Sequence, residues 1–193
     1  LTMPMCGAGV CYDAFDNTAS AAYAPEDGLP LQLGAFGTCT LVFGPGCTAQ
    51  EAVQPRGSVK PCAWRYTISL RDAGGEEWRL LAADSPLFDV TSVQGEPRFG
   101  GMIRYETAFE AVDTDVPVWL DLGQVGETAE VTLNGVSCGV RIQVPYRFRL
   151  NGLKAGKNDL VIEVLNNPGH RERDAFSAFL AMPPSGVLGP VQW

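Results

Sequence analysis

One stretch constrains the fold more than any other, the run from Trp119 to Val136. Val118, Leu120 and Leu122 alternate with Trp119 and Asp121, Gly123 ends that strand, and a second alternating segment reaches Val131 and Leu133. Asn134-Gly135 follows. An Asn-Gly pair between alternating apolar residues marks a two-residue hairpin turn, because a type I′ turn needs positive φ at both central positions and these residues take it at least cost. The run therefore reads as strand, turn, strand and tight hairpin.

The same period-two pattern recurs along the chain. Trp64, Tyr66, Ile68 and Leu70 share one face of a strand, and Arg65, Thr67, Ser69 and Arg71 share the other. Ile103, Tyr105, Thr107 and Phe109 oppose Arg104, Glu106 and Glu110. Tyr146, Phe148 and Leu150 alternate with Arg147 and Arg149, and Leu160, Ile162 and Val164 with Asp159 and Glu163. Turn signals return about every 8–12 residues, the spacing of a sandwich or barrel. Strands apolar on one side only belong to antiparallel sheets with one wet face. The best helical spacing, Phe176, Phe179 and Leu180 within Glu172–Met182, supports a short helical turn or a packed loop and nothing longer. The expected fold is all-β, an antiparallel β-sandwich.

Thr38–Phe43 reads as the first strand, after an irregular Gly-, Ala- and Pro-rich lead-in. The expected organisation is a lead-in from a preceding module over 1–37 and the sandwich over 38–193. The chain starts at Leu1 with no basic and apolar leader, which reads as a piece of a longer protein.

Charge narrows the partners. A net charge of −8 opposes binding to nucleic acid or to an anionic membrane surface, both of which need clustered Lys and Arg. No apolar run approaches the ~20 residues of a membrane span. Six cysteines, none in C-x-x-C spacing, with His170 as the one histidine, do not describe a zinc knuckle. Thiols behaving as small apolar residues are the expected state, and reduced thiols would suit the cytoplasm.

These strands and turns also carry a resemblance. Residues from Phe99 to Phe109, Leu120-Asp121-Leu122-Gly123, Ala129 to Gly135, Gly139-Val140, Pro145 to Phe148, and Gly156 to Val164 with Asn166 stand in an order similar to the sugar-binding, galactose-binding-like jelly-roll domain of glycoside hydrolase family 2 and α-L-rhamnosidase-like enzymes. Ser185–Val191 resembles that family's last strand, and Leu31–Thr38 the strand that leads into it. The sequence departs after Asn166: the family's Trp and Asn-Arg are replaced by Asn167-Pro168-Gly169-His170-Arg171. The resemblance implies a non-catalytic accessory domain of a larger glycoside hydrolase. A free-standing carbohydrate-binding module and a purely structural packing domain without a sugar ligand are the alternatives. Physics explains the motif glycines and asparagines by the turns they make, whatever the function.

Candidate chemistry follows. Glycosidases set two carboxylates at a fixed separation, but Glu106 and Glu110 read as solvated strand charges, and the chain is too short for a catalytic barrel of ~250 residues. His170 lies among loop residues with no nucleophile marked beside it. Sugar recognition joins a stacking ring to amides, arginines and carboxylates that meet hydroxyls. Trp78, Trp119, Tyr146 and Trp193 are the rings outside the expected core, with Trp119 foremost. Arg141, Gln143 and Tyr146 on one segment, and Asn166, Asn167, His170 and Arg171 on another, supply the polar groups. That composition suits a carbohydrate or a docked catalytic module equally. No cofactor is implied; a structural calcium, common in such modules by resemblance, has no acidic cluster specifying it.

Overall fold

Most of the alternating segments assemble into one large antiparallel sheet. The computed structural model describes residues 7–13, 18–24, 38–43, 62–112, 117–176 and 179–193. The chain forms two compact units, Leu1–Arg56 and Gly57–Trp193.

In the first unit, β1 (Gly7–Asp13) pairs antiparallel with β2 (Thr18–Ala24) and with β3 (Thr40–Phe43), giving the order β2-β1-β3. This departs from the expected irregular lead-in. β1 and β2 are rich in Gly, Ala, Ser and Thr taken together, and Val10, Tyr12 and Tyr23 do not make a sustained apolar alternation, yet ladder hydrogen bonds require only the backbone. β3, expected to open the sandwich, belongs to this sheet instead, with Val10 opposite Val42.

The second unit holds ten strands among the described residues: β4 (Tyr66–Asp72), β5 (Arg79–Ser85), β6 (Gly101–Ala111), β7 (Trp119–Asp121), β8 (Gln124–Gly126), β9 (Thr128–Leu133), β10 (Val136–Arg141), β11 (Arg147–Arg149), β12 (Gly156–Leu165) and β13 (Gly186–Gly189). Six of them form a sheet in the order β10-β9-β12-β6-β4-β5. The β9–β12, β12–β6 and β6–β4 ladders run without a shift of register. The β10–β9 ladder shifts between Ser137 and Gly139, and the β4–β5 ladder shifts on either side of Ile68. Two short pairs, β11-β7 and β13-β8, make the second layer. Bridges join them, Asp121 to Gln192 and Gly123 to Gly189.

Between the layers lies the core. The large sheet contributes Tyr66, Ile68, Leu70, Ile103, Tyr105, Val131, Leu133, Leu160, Ile162 and Val164; the second layer contributes Leu120, Leu122, Val125, Phe148 and Val187. Apart from Val125 and Val187, these are the residues that the alternation placed inward. Full burial of each large apolar side chain stabilises the fold by roughly 1.5–3 kcal/mol. Trp64 stacks on Phe109 with ring centres 4.7 Å apart, and Trp193 meets both rings edge-on, so these three rings pack against one side of the core. On the outward face of the sheet, Arg104 pairs with Glu163 across the β6–β12 register, and Trp78 lies against the Arg71 and Arg104 guanidiniums. Glu106 and Glu110 are exposed there, as the alternation requires.

The Asn134-Gly135 turn has φ of 50° and 80°, the two positive values of the expected I′ hairpin. The Asn134 side chain does more than permit the turn. It donates to the Gly152 carbonyl and to Asn158 Oδ1, and it accepts from the Asp159 amide.

Candidate functional site

One end of the sandwich gathers part of the predicted set. There β12 ends at Leu165, β9 begins at Thr128, and the segment after β10 returns through Gln143 towards β11. The Gly126–Glu127 and Val144–Pro145 peptide bonds are both cis. The Glu127 amide donates to the Leu165 carbonyl at 3.1 Å. Tyr146 donates its hydroxyl to the Glu127 carbonyl. Asn167 donates to Glu127 Oε1 at 3.0 Å, and its own side-chain oxygen accepts from the Gly169 amide at 2.8 Å, capping a 3-10 turn at Pro168–His170. Glu127, Tyr146 and Asn167 therefore form one hydrogen-bonded cluster. The carboxylate of Glu127 is exposed. Burial, with the Glu127 charge adding to it, raises the Tyr146 hydroxyl above its ordinary pKa and keeps it a donor.

The other predicted residues stand outside that hydrogen-bonded cluster. Arg141, opposite Ala129 at the end of β10, is only 4% exposed, with its guanidinium 5.1 Å from the centre of the Phe148 ring. Asn166 is 2% exposed and ties three segments together. Its oxygen accepts from the Gly101 amide at 2.9 Å, and its nitrogen donates to the Phe99 carbonyl at 2.9 Å and to Ser185 Oγ at 3.2 Å. His170 is buried, with Nε2 2.9 Å from the Pro183 carbonyl. Arg171 is exposed and points away from the cluster, donating to the Ala73 carbonyl at 3.2 Å. Gln143 sits half-buried in the bend after β10. Trp119 is half-buried on β7, opposite Arg149, and its indole nitrogen is buried without a hydrogen-bond partner. Tyr146 belongs to the core, so its ring is not offered to a ligand.

Glu127 is the member that sequence reasoning missed. It lies between two strand segments with no alternation to orient it, and a single acidic residue in a turn carries no signal. A separate cleft of about 360 Å³ lies between Cys62–Tyr66, Pro86-Leu87 and Leu188–Val191, and no predicted site residue lines it. Among the described residues, no group of three or more His, Cys, Asp or Glu side chains is placed to hold a metal ion. No helix among them is long and apolar enough to cross a membrane.

Fold and site together define an antiparallel β-sandwich with polar loops at one end. No family model matches the chain, and no curated protein sequence does. Among solved structures, the fold is similar to that of a rhamnosidase from Novosphingobium sp. PP1Y, with a TM-score of 0.71 and 22% identity over 98% of this chain. The chain spans 21% of that rhamnosidase's length. A weaker likeness, TM-score 0.45 and 18% identity, covers 70% of this chain and 22% of an FMN-binding beta-glucuronidase from Facaelibacterium prausnitzii L2-6.

Proposed function

We propose that this chain is a non-catalytic accessory domain of a larger glycoside hydrolase, a jelly-roll of the galactose-binding-like type that contacts carbohydrate at its Glu127–Asn167 end. The supporting observation is the likeness to a rhamnosidase over 98% of this chain but only 21% of the other. A domain that fills a fifth of an enzyme leaves the remainder of that chain for the chemistry. The sandwich domain takes the unit Gly57–Trp193.

In this reading the exposed Glu127 carboxylate, the Asn167 amide and Gln143 meet sugar hydroxyls. Arg141, Tyr146, Asn166 and His170 are positioning residues, since all four are buried. Trp119, partly exposed on β7, is the ring left for a pyranose face, and Arg171, turned towards the Ala73 carbonyl, takes no part in this contact. Titration calorimetry of the protein against a panel of neutral and acidic oligosaccharides tests this. Asn167→Ala and Gln143→Ala are expected to weaken any measured affinity about tenfold, the loss of one to two hydrogen bonds. Unchanged affinity in both variants would refute the placement.

A second reading, docking against the catalytic module without a sugar ligand, is favoured by one observation. Phe176, Phe179 and Leu180 are 85%, 79% and 58% exposed, more apolar surface than a short loop ordinarily shows to water. Loss of activity in the full-length enzyme on Phe176→Ser, with no sugar bound by this domain, selects that reading.

A further inference from the structure

Two cysteines of the first unit meet across its sheet. β1 and β3 pair antiparallel with Cys11 opposite Leu41, so Cys39 lies two residues along from that partner and on the same face. The Cys11 and Cys39 sulfurs are 2.8 Å apart. That is well inside the ~3.5–4.0 Å at which even carbon atoms rest against one another, and a disulfide needs about 2.05 Å. The remaining contraction is small, and Cys39 stands just before the first strand residue, Thr40.

We propose that Cys11 and Cys39 are a redox pair that closes to a disulfide joining β1 to β3. Both side chains are only partly buried, so a small oxidant can reach them. With oxidised glutathione the step balances. One thiolate attacks a glutathione sulfur, a mixed disulfide forms and the first glutathione leaves as its thiol. The second cysteine thiolate then displaces the second glutathione. The two cysteines lose two electrons and two protons, and one glutathione disulfide becomes two thiols. Of the other cysteines among the described residues, Cys62 and Cys138 are poor competitors, because burial pushes the Cys62 thiol up to about 11 and raises that of Cys138 too. The closed bond would span 28 positions of chain and pin the outer edge of this sheet to its centre. It would persist in an oxidising compartment and open in a reducing one, in contrast to the thiols expected from the sequence.

The test uses the chain purified under reductant and then exposed to oxidised glutathione. Remaining thiols are alkylated, and the protein is mapped by mass spectrometry without reduction. The expected result is a cross-linked peptide pair holding Cys11 and Cys39, lighter by two hydrogens, and its disappearance in Cys39→Ser. Alkyl label on both cysteines after oxidation, stable glutathione adducts on either, or Cys11 joined to a different cysteine would each overturn the proposal. Because the main readout is made on the unsubstituted chain, misfolding of a variant does not shield it.

Discussion

Asn166→Ala should damage the sandwich severely. The side chain is 2% exposed and makes hydrogen bonds to the Gly101 amide, the Phe99 carbonyl and Ser185 Oγ. Alanine removes both halves of the amide and returns no partner. A buried group left without a hydrogen bond costs about 1–3 kcal/mol. The Gly101 amide and the Phe99 carbonyl are both stranded, while the Ser185 hydroxyl can rotate to another acceptor. The expected loss is therefore about 3–5 kcal/mol, or a fall of roughly 10 °C in Tm at this chain length. Urea unfolding followed by tryptophan fluorescence measures it cleanly, because Trp64, Trp78, Trp119 and Trp193 all lie in the unit Gly57–Trp193. Asn166→Asp sharpens the test. A carboxylate still accepts from Gly101 but cannot donate to Phe99, so the variant is destabilised at neutral pH and its deficit shrinks as acid supplies the missing proton. A loss under about 1 kcal/mol in the alanine variant would refute the reasoning, since it would mean that the amide does not join these three segments.

Tyr66→Phe should act in the opposite direction. The Tyr66 hydroxyl is buried without a hydrogen-bond partner, so its removal is expected to raise stability by about 1 kcal/mol in the same urea assay; a loss of similar size would contradict the assignment. Alkaline pH should unfold the sandwich early. Burial raises the Tyr66 and Tyr105 hydroxyls far above the ordinary tyrosine range, so the folded state binds protons that the unfolded state releases. Their contribution is complete below about pH 10 and is lost as pH rises beyond it. Stability that stays flat to pH 12 by circular dichroism would exclude this linkage.

Much of the sandwich was legible because its strands are wet on one side. Ile103, Tyr105 and Phe109, or Leu160, Ile162 and Val164, declare their face by spacing alone, and the structure buries each of them. The Asn134-Gly135 turn was legible for a local reason too, since two positive φ values select those residues. What failed to show was non-local or side-chain-poor. β1 and β2 are too rich in Gly, Ala and Ser to display a face, and β3 announces itself as a strand but not that its partner is β1. β8 is three residues long, too short for a period, whereas the equally short β7 and β11 declared a face only because their flanking residues continue the alternation. At the candidate site, the sequence identified polar loop residues but not their direction. Asn166 and His170 turn inward to backbone groups, while neighbouring Asn167 turns towards Glu127. Nothing in a loop's sequence separates those outcomes, because each side chain follows the local backbone and no repeating geometry.

The placement of the register shifts has a consequence for how this molecule behaves in company. Every irregular ladder of the six-stranded sheet involves an outermost strand, β10 or β5, while the three inner ladders are unbroken. An outermost strand is otherwise a row of open amides and carbonyls that templates the addition of another chain, and bulges twist that row out of line. The sheet is thus finished at both margins. Edge-to-edge stacking of crowded copies is thereby disfavoured at both margins of this sheet.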